Sequence, residues 1–225
     1  MKKNFQFNVL LLAVLASASF PAMALQPFSA QYEASYKGVS AGGAMSLSQQ
    51  GVRWTYSMSI SNAAATMSQA TVFVETNGVF RPLGGSDRSQ YLMQRKSVVT
   101  RYDWKNMQTR WTGDVKPTRA GPIKMQSGDM DALLVNLALA RDAVAGKPMN
   151  YRLVENGKVK PVNYRIAGKE TLSIAGKSIT TTRVVQSTGG KQTTAWIAPG
   201  IPVPVRIVQR EGGSEIFSLR IKSWR

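Results

Sequence analysis

The stretch Phe28-Ser29-Ala30-Gln31-Tyr32-Glu33-Ala34-Ser35-Tyr36 alternates without a break. Phe28, Ala30, Tyr32, Ala34 and Tyr36 are apolar or aromatic, and Ser29, Gln31, Glu33 and Ser35 between them are polar. Side chains on an extended strand point to opposite faces with period two, so nine such residues describe a strand with one dry and one wet face. Lys37-Gly38 then supplies turn chemistry, and Ala44 to Gln49, Gln50-Gly51 and Arg53 to Ile60 repeat the unit as strand, turn, strand.

The same grammar runs outward along the chain. Gln69 to Thr76 reads as a strand, Asn77-Gly78 as a hairpin turn, and Val79 to Leu83 as the start of the next strand. Gln90 to Gln94 and Ser97 to Trp104 read as a pair, and Met107 to Thr112 as a return after Asp103 to Asn106. Gly42-Gly43 and Gly84-Gly85 read as turn glycines. Towards the C-terminus, Asn150 to Glu155 and Lys158 to Ile166 flank Asn156-Gly157, and Glu170 to Ile174 and Ser178 to Gln186 flank Ala175-Gly176-Lys177. Lys191 to Ala198, Val205 to Arg210 and Glu215 to Trp224 complete the series. Regularly spaced short strands with tight turns predict a mostly-β domain over residues 25–225. Its form is a curved antiparallel sheet, a half-barrel or a closed β-barrel, lipocalin-like or like the lipoprotein carriers of a bacterial envelope.

One segment breaks the pattern. From about 129 to 144, Met130, Leu133, Leu134, Leu137, Arg141 and Val144 recur at helical spacing. Ser127 or Asp129 is placed to cap the amino end, Asp129 and Asp131 suit the helix dipole there, and Gly146 with Pro148 ends the run. Two roles are open for this helix: a core element packed on the sheet, or a lid over a cavity.

The N-terminus reads as a secretory signal. Met1-Lys2-Lys3 is a short basic start, Val9 to Ala16 is apolar, and Ala22-Met23-Ala24 has the small residues of a cleavage site. Residues 1–24 are therefore expected to be removed, and the product to reside in the periplasm. The apolar run falls well short of the ~20 residues that span a bilayer, and the chain shows no later run of that kind. The chain has no cysteine, which rules out a lipid-acylated N-terminal cysteine, thiolate chemistry and disulfide staples.

Lysine and arginine number 29 against 12 acidic residues. Without Lys2 and Lys3 the balance is 27 against 12, a net of +15. Such a charge favours anionic partners through long-range attraction. In an envelope compartment these are lipid headgroups, lipopolysaccharide or acidic polysaccharide, and the export signal argues against nucleic acid. The basic residues are spread along the chain, so solubility alone also accounts for them.

Histidine is absent as well. Ser-His-Asp and Cys-His catalysis are thereby excluded, as are histidine zinc sites. Paired carboxylates remain as a route to hydrolysis, but most of the twelve acids fall at turns or helix ends. No calcium-loop spacing or phosphate-binding glycine loop occurs, and no cofactor or metal is expected. The aromatics Trp54, Tyr56, Trp104, Trp111 and Trp196 sit in strands, where core packing is their ordinary use.

Several short stretches resemble a known family. Phe28 to Gly38 is similar to the opening strand of an exported bacterial family catalogued as domain of unknown function 3108. The likeness continues through Tyr102-Asp103-Trp104, Asp129-Met130-Asp131-Ala132-Leu133, Thr194-Ala195-Trp196-Ile197-Ala198-Pro199 and Pro204-Val205-Arg206-Ile207. The resemblance implies an exported, mostly-β envelope protein and carries no assigned catalytic or binding residues.

Three functional classes follow. The first is a non-enzymatic binding or carrier protein whose apolar cavity is lined by Trp54, Tyr56, Met58, Leu133 and Leu137. The second is an assembly or scaffolding factor that holds an envelope protein on a sheet edge or basic face. The third is a carboxylate-based hydrolase of envelope polymers, which needs two acids in one cleft.

Overall fold

The computed structural model describes residues 25–225, so the expected signal peptide at 1–24 lies outside the described residues. The chain forms fifteen strands, one 3-10 turn at Pro117–Arg119 and one helix. The first eight strands are β1 (Phe28–Tyr36), β2 (Val39–Gln50), β3 (Arg53–Ser61), β4 (Ala65–Thr76), β5 (Val79–Tyr91), β6 (Gln94–Asp103), β7 (Gln108–Gly113) and β8 (Ile123–Lys124). After β9 (Asp129–Met130) and the helix α1 (Ala132–Val144) come β10 (Met149–Glu155), β11 (Lys158–Ile174), β12 (Lys177–Thr188), β13 (Lys191–Ile197), β14 (Arg206–Glu211) and β15 (Ser214–Trp224).

All fifteen strands belong to one sheet, in the order β8-β7-β6-β5-β4-β3-β2-β1-β15-β14-β13-β12-β11-β10-β9. The alternating stretch read first sits at its centre, with β1 paired to β2 on one side and β15 on the other. From there the chain walks by hairpins to β8 at one edge, crosses to β9 at the other, and returns after α1. Neighbours pair antiparallel, except that β9 runs parallel to β10 through Arg152↔Asp129. Five chain steps separate Lys124 of β8 from Asp129 of β9, so these edges lie within roughly 17 Å of each other. They do not hydrogen-bond. The sheet is an open half-barrel with a seam, which corrects any expectation of a closed β-barrel.

Side chains fill the seam where the ladder stops. Val98 and Tyr102 from β6, Trp111 from β7, Met125 from the β8–β9 link and Val154 from β10 form a buried cluster of their own. Asp129, fully buried, accepts a hydrogen bond from Arg152 Nε at 2.5 Å and another from the Gln126 backbone N–H at 3.0 Å. These contacts hold the link against β10.

The larger core surrounds α1. Asp131 caps it, accepting from Leu134 N at 2.9 Å, so the helix begins at Ala132, three residues later than the stretch from 129 read in the sequence, and Asp129-Met130 is a short strand instead. Nearly every side of α1 is buried, including Val135, Ala138, Leu139 and Ala140 outside the expected stripe, while Val144 within that stripe is exposed. A helix apolar on all sides is surrounded rather than docked by one face. At its far end Arg141 bonds Asp142, reaches the carbonyl of Gly78 in the β4–β5 turn and stacks over the Phe80 ring at 4.8 Å.

Two turn assignments differ from the sequence reading. Gly42-Gly43 and Gly84-Gly85 lie inside β2 and β5. A Cβ on Gly43 would meet Tyr32 Cβ at 3.2 Å, and one on Gly85 would meet the Ala70 carbonyl at 3.3 Å, so close approach rather than a turn requires glycine there. The β5–β6 hairpin turns at Leu92-Met93, inside the stretch Gln90 to Gln94 read as a strand, and not between that stretch and Ser97. Placing Val98 and Thr100 on the inner face fixes the register and moves the turn.

Lys158 to Ile174 is one strand rather than two, with an irregularity between Ile166 and Gly168. Its first half pairs with β10 and its second half with β12. That second half folds over to touch β15, four places away in the sheet. Trp196 Nε1 on β13 donates to Glu170 Oε2 on β11 at 2.8 Å. This arm explains why both faces of β13 and β14 are buried, Ala195 and Ile207 on one side and Thr194 and Val208 on the other.

Candidate functional site

At the start of α1 the inner face of the sheet changes character. Along β4 the inward positions run Phe73, Thr71, Gln69, and the facing positions of β5 are Gly85 and Asp87. Thr100 and Val98 of β6 continue the row. Apolar side chains give way to polar ones beside the start of α1, and a cleft of about 210 Å³ remains. Asp131 and Leu133 of α1 and Glu155 of β10 border its far wall, and the exposed Arg88 and Lys96 stand at its open side.

The polar groups are ordered by one another. Gln69 Nε2 donates to Asp87 Oδ1 at 2.5 Å. Thr71 donates its hydroxyl to Asp131 Oδ2, whose other oxygen caps α1. Burial pushes the Asp131 carboxyl up to about 6, against the hydrogen bonds from Thr71 and Leu134 that lower it, and Asp87 and Glu155 add repulsion. Tyr102, which borders the cleft, is raised chiefly by burial and then by the same carboxylates. The result is a pocket with a cationic lip, a hydroxyl-rich middle and a carboxyl at its base. Among the described residues no group of three acidic side chains is close enough to hold a metal ion.

The five residues expected to line an apolar cavity are placed differently. Trp54, Tyr56, Leu133 and Leu137 belong to the main core cluster, and Met58 packs against it. Tyr56 is fully buried, with its hydroxyl on Met45 Sδ at 3.2 Å. Only Leu133 borders the cleft. The helix occupies the space that an apolar ligand would need. Sequence reasoning missed Gln69, Thr71, Asp87 and Thr100. Their signal was present as polar residues at the inward positions of alternating strands, but naming the inward face requires the register.

A second cleft, about 260 Å³, lies between the β11 arm and the outer face of β1, β14 and β15, bordered by Ser35, Leu172, Ile174, Arg206 and Arg220.

No curated protein matches the chain. Among solved structures it is similar to one titled "Structure of PNGF-II in C2 space group", with 10% identity and a TM-score of 0.30. That match covers 89% of this chain, which spans 28% of the other. The family model described as a protein of unknown function, DUF3108, matches residues 31–219, and the chain belongs to that family.

Proposed function

We propose that this protein is a non-enzymatic binding protein of the periplasm, and that its ligand is an anionic envelope molecule presenting a sugar or headgroup of modest size. The observation that carries this reading is the cleft between β4, β5, β6 and the start of α1. Its open side bears Arg88 and Lys96, and its interior offers Thr71 and Thr100 as hydroxyl partners. A cationic lip captures an anionic substituent, and a row of hydroxyls suits a polar ring behind it. The net charge of +15 without Lys2 and Lys3 adds long-range attraction of the same sign. The filled core favours this polar ligand over a lipocalin-like carrier that swallows an acyl chain.

A hydrolase is the second reading, because Asp87, Asp131 and Glu155 border the same cleft and Asp131 holds its proton up to about pH 6. A raised carboxyl beside an ionised one is the acid–base division that glycoside hydrolysis uses. A scaffolding role on the terminal strands has less support, since β8 and β9 each offer a two-residue ladder.

Native mass spectrometry of the purified protein, followed by titration with acidic envelope glycans, tests these readings. Binding of an intact glycan that weakens at least about tenfold in Arg88→Gln/Lys96→Gln supports the binding protein, since each charged contact contributes about 1.5 kcal/mol or more. Release of shortened glycan, abolished in Asp131→Asn, supports the hydrolase. No binding and no turnover across such glycans removes the cleft as the site.

A further inference from the structure

The β5–β6 hairpin tip exposes three large apolar side chains in succession: Tyr91 at 60%, Leu92 at 65% and Met93 at 97%. Met67, 41% exposed on β4, and the small Ala63 and Ala64 of the β3–β4 turn lie at the same end, where Leu92 N–H donates to Ala64 O at 3.2 Å. Among the described residues none covers this tip. Leu92 also holds a positive φ of 54°, a conformation that a branched side chain adopts at a cost. The other two-residue hairpins of the described chain place a glycine in the turn, as in Lys37-Gly38, Asn77-Gly78 and Gly212-Gly213. At Leu92-Met93 alone among them, the favoured turn chemistry has been given up for two exposed apolar residues.

The flanks are cationic. Arg88, Arg95 and Lys96 are exposed, and the single carboxylate between Gly84 and Arg101, Asp87, is engaged by Gln69. We propose that the β5–β6 tip is a membrane-docking element, which inserts Leu92 and Met93 into the headgroup region of an anionic bilayer while the surrounding arginines and lysine bind its phosphates. Apolar residues at a protruding tip gain by entering the interface, and a basic surround adds attraction specific to anionic lipid. A protein partner for the same patch would want a broad apolar face, whereas here a narrow point rises from a ring of charge. Arg88 and Lys96 also border the first cleft, but Leu92, Met93 and Arg95 border neither, so variants at Leu92 and Met93 test this inference apart from the ligand reading.

The absence of cysteine allows a single thiol to report on the tip. An environment-sensitive fluorophore on Met93→Cys is expected to shift to the blue with phosphatidylglycerol/phosphatidylcholine vesicles and not with phosphatidylcholine alone. The same label on Val52→Cys, 78% exposed in the β2–β3 turn at the opposite end of β3, is expected to stay unshifted. In vesicle sedimentation, Leu92→Asn/Met93→Gly is expected to weaken partitioning at least about tenfold. Its unfolding midpoint should be unchanged or higher, because Asn-Gly suits the turn. An unshifted label at position 93, equal shifts at both positions, or undiminished partitioning of the Asn-Gly variant overturns the proposal.

Discussion

Thr71 on β4 donates its hydroxyl to the carboxylate of Asp131, sixty residues later, and that carboxylate also caps α1. One side chain thus ties the sheet, the helix and the cleft together. Its carboxyl is raised to about 6 from 3.8, so the folded protein holds this proton more tightly than the unfolded chain. The stabilisation is full below about pH 4 and is lost as the pH rises through 6, amounting by neutral pH to about 3 kcal/mol at most. Asp131→Asn keeps a capping oxygen and removes the charge. The stability of this variant relative to the parent should therefore increase from pH 4 to pH 7.5, read by urea unfolding at both. A difference that does not change with pH would contradict the assignment.

Arg152 on β10 bonds Asp129 of β9 at 2.5 Å beside the seam, with Asp129 fully buried. Arg152→Met leaves that carboxylate without its cation and should cost about 3 kcal/mol. Adding Asp129→Asn should recover part of the loss, and a double-mutant cycle in denaturant measures the coupling. Additive single effects would show that the pair does not hold β9 on β10.

Trp196 holds the β11 arm through Glu170 at 2.8 Å. Trp196→Phe removes the donor and leaves a partly buried acceptor, an expected cost of about 2 kcal/mol, whereas Glu170→Gln keeps an acceptor and should cost less. Hydrogen exchange of amides 165–174 should accelerate in Trp196→Phe more than exchange in β2 and β3. Uniform acceleration would mean that the arm is not a separate unit.

Gly113 and Gly38 make a matched pair. Both have positive φ, but a Cβ on Gly113 would fall 2.3 Å from the Ser97 carbonyl, and one on Gly38 would meet nothing within 4 Å. Gly38→Ala should cost about 1 kcal/mol from backbone strain, and Gly113→Ala about 3 kcal/mol or more, because the β6–β7 ladder must move. Thermal unfolding ranks the two. Equal losses would remove the steric explanation.

The strands were legible because period-two alternation is local, and the Phe28 to Tyr36 run needs no partner to be read. The hairpins at Asn77-Gly78 and Asn156-Gly157 were legible for the same reason, since turn chemistry lies in the residues that turn. The Leu92-Met93 turn was not, because there the inward register of Val98 and Thr100 outweighs local preference. Trp54, Tyr56 and Leu137 were read as cavity residues from their apolar surface alone. Burial in a filled core and burial against a ligand look identical in sequence.

The sequence by itself determined that this chain makes a long succession of antiparallel hairpins interrupted by one helix, with a cationic balance and neither histidine nor cysteine. Each of those follows from neighbours along the chain or from composition. The tertiary structure decided that the helix fills the half-barrel, that β8 and β9 face each other across a seam without joining, and that Gln69, Thr71, Asp87 and Asp131 share one cleft. Those outcomes depend on curvature and on contacts between residues sixty or more positions apart, which no local pattern encodes.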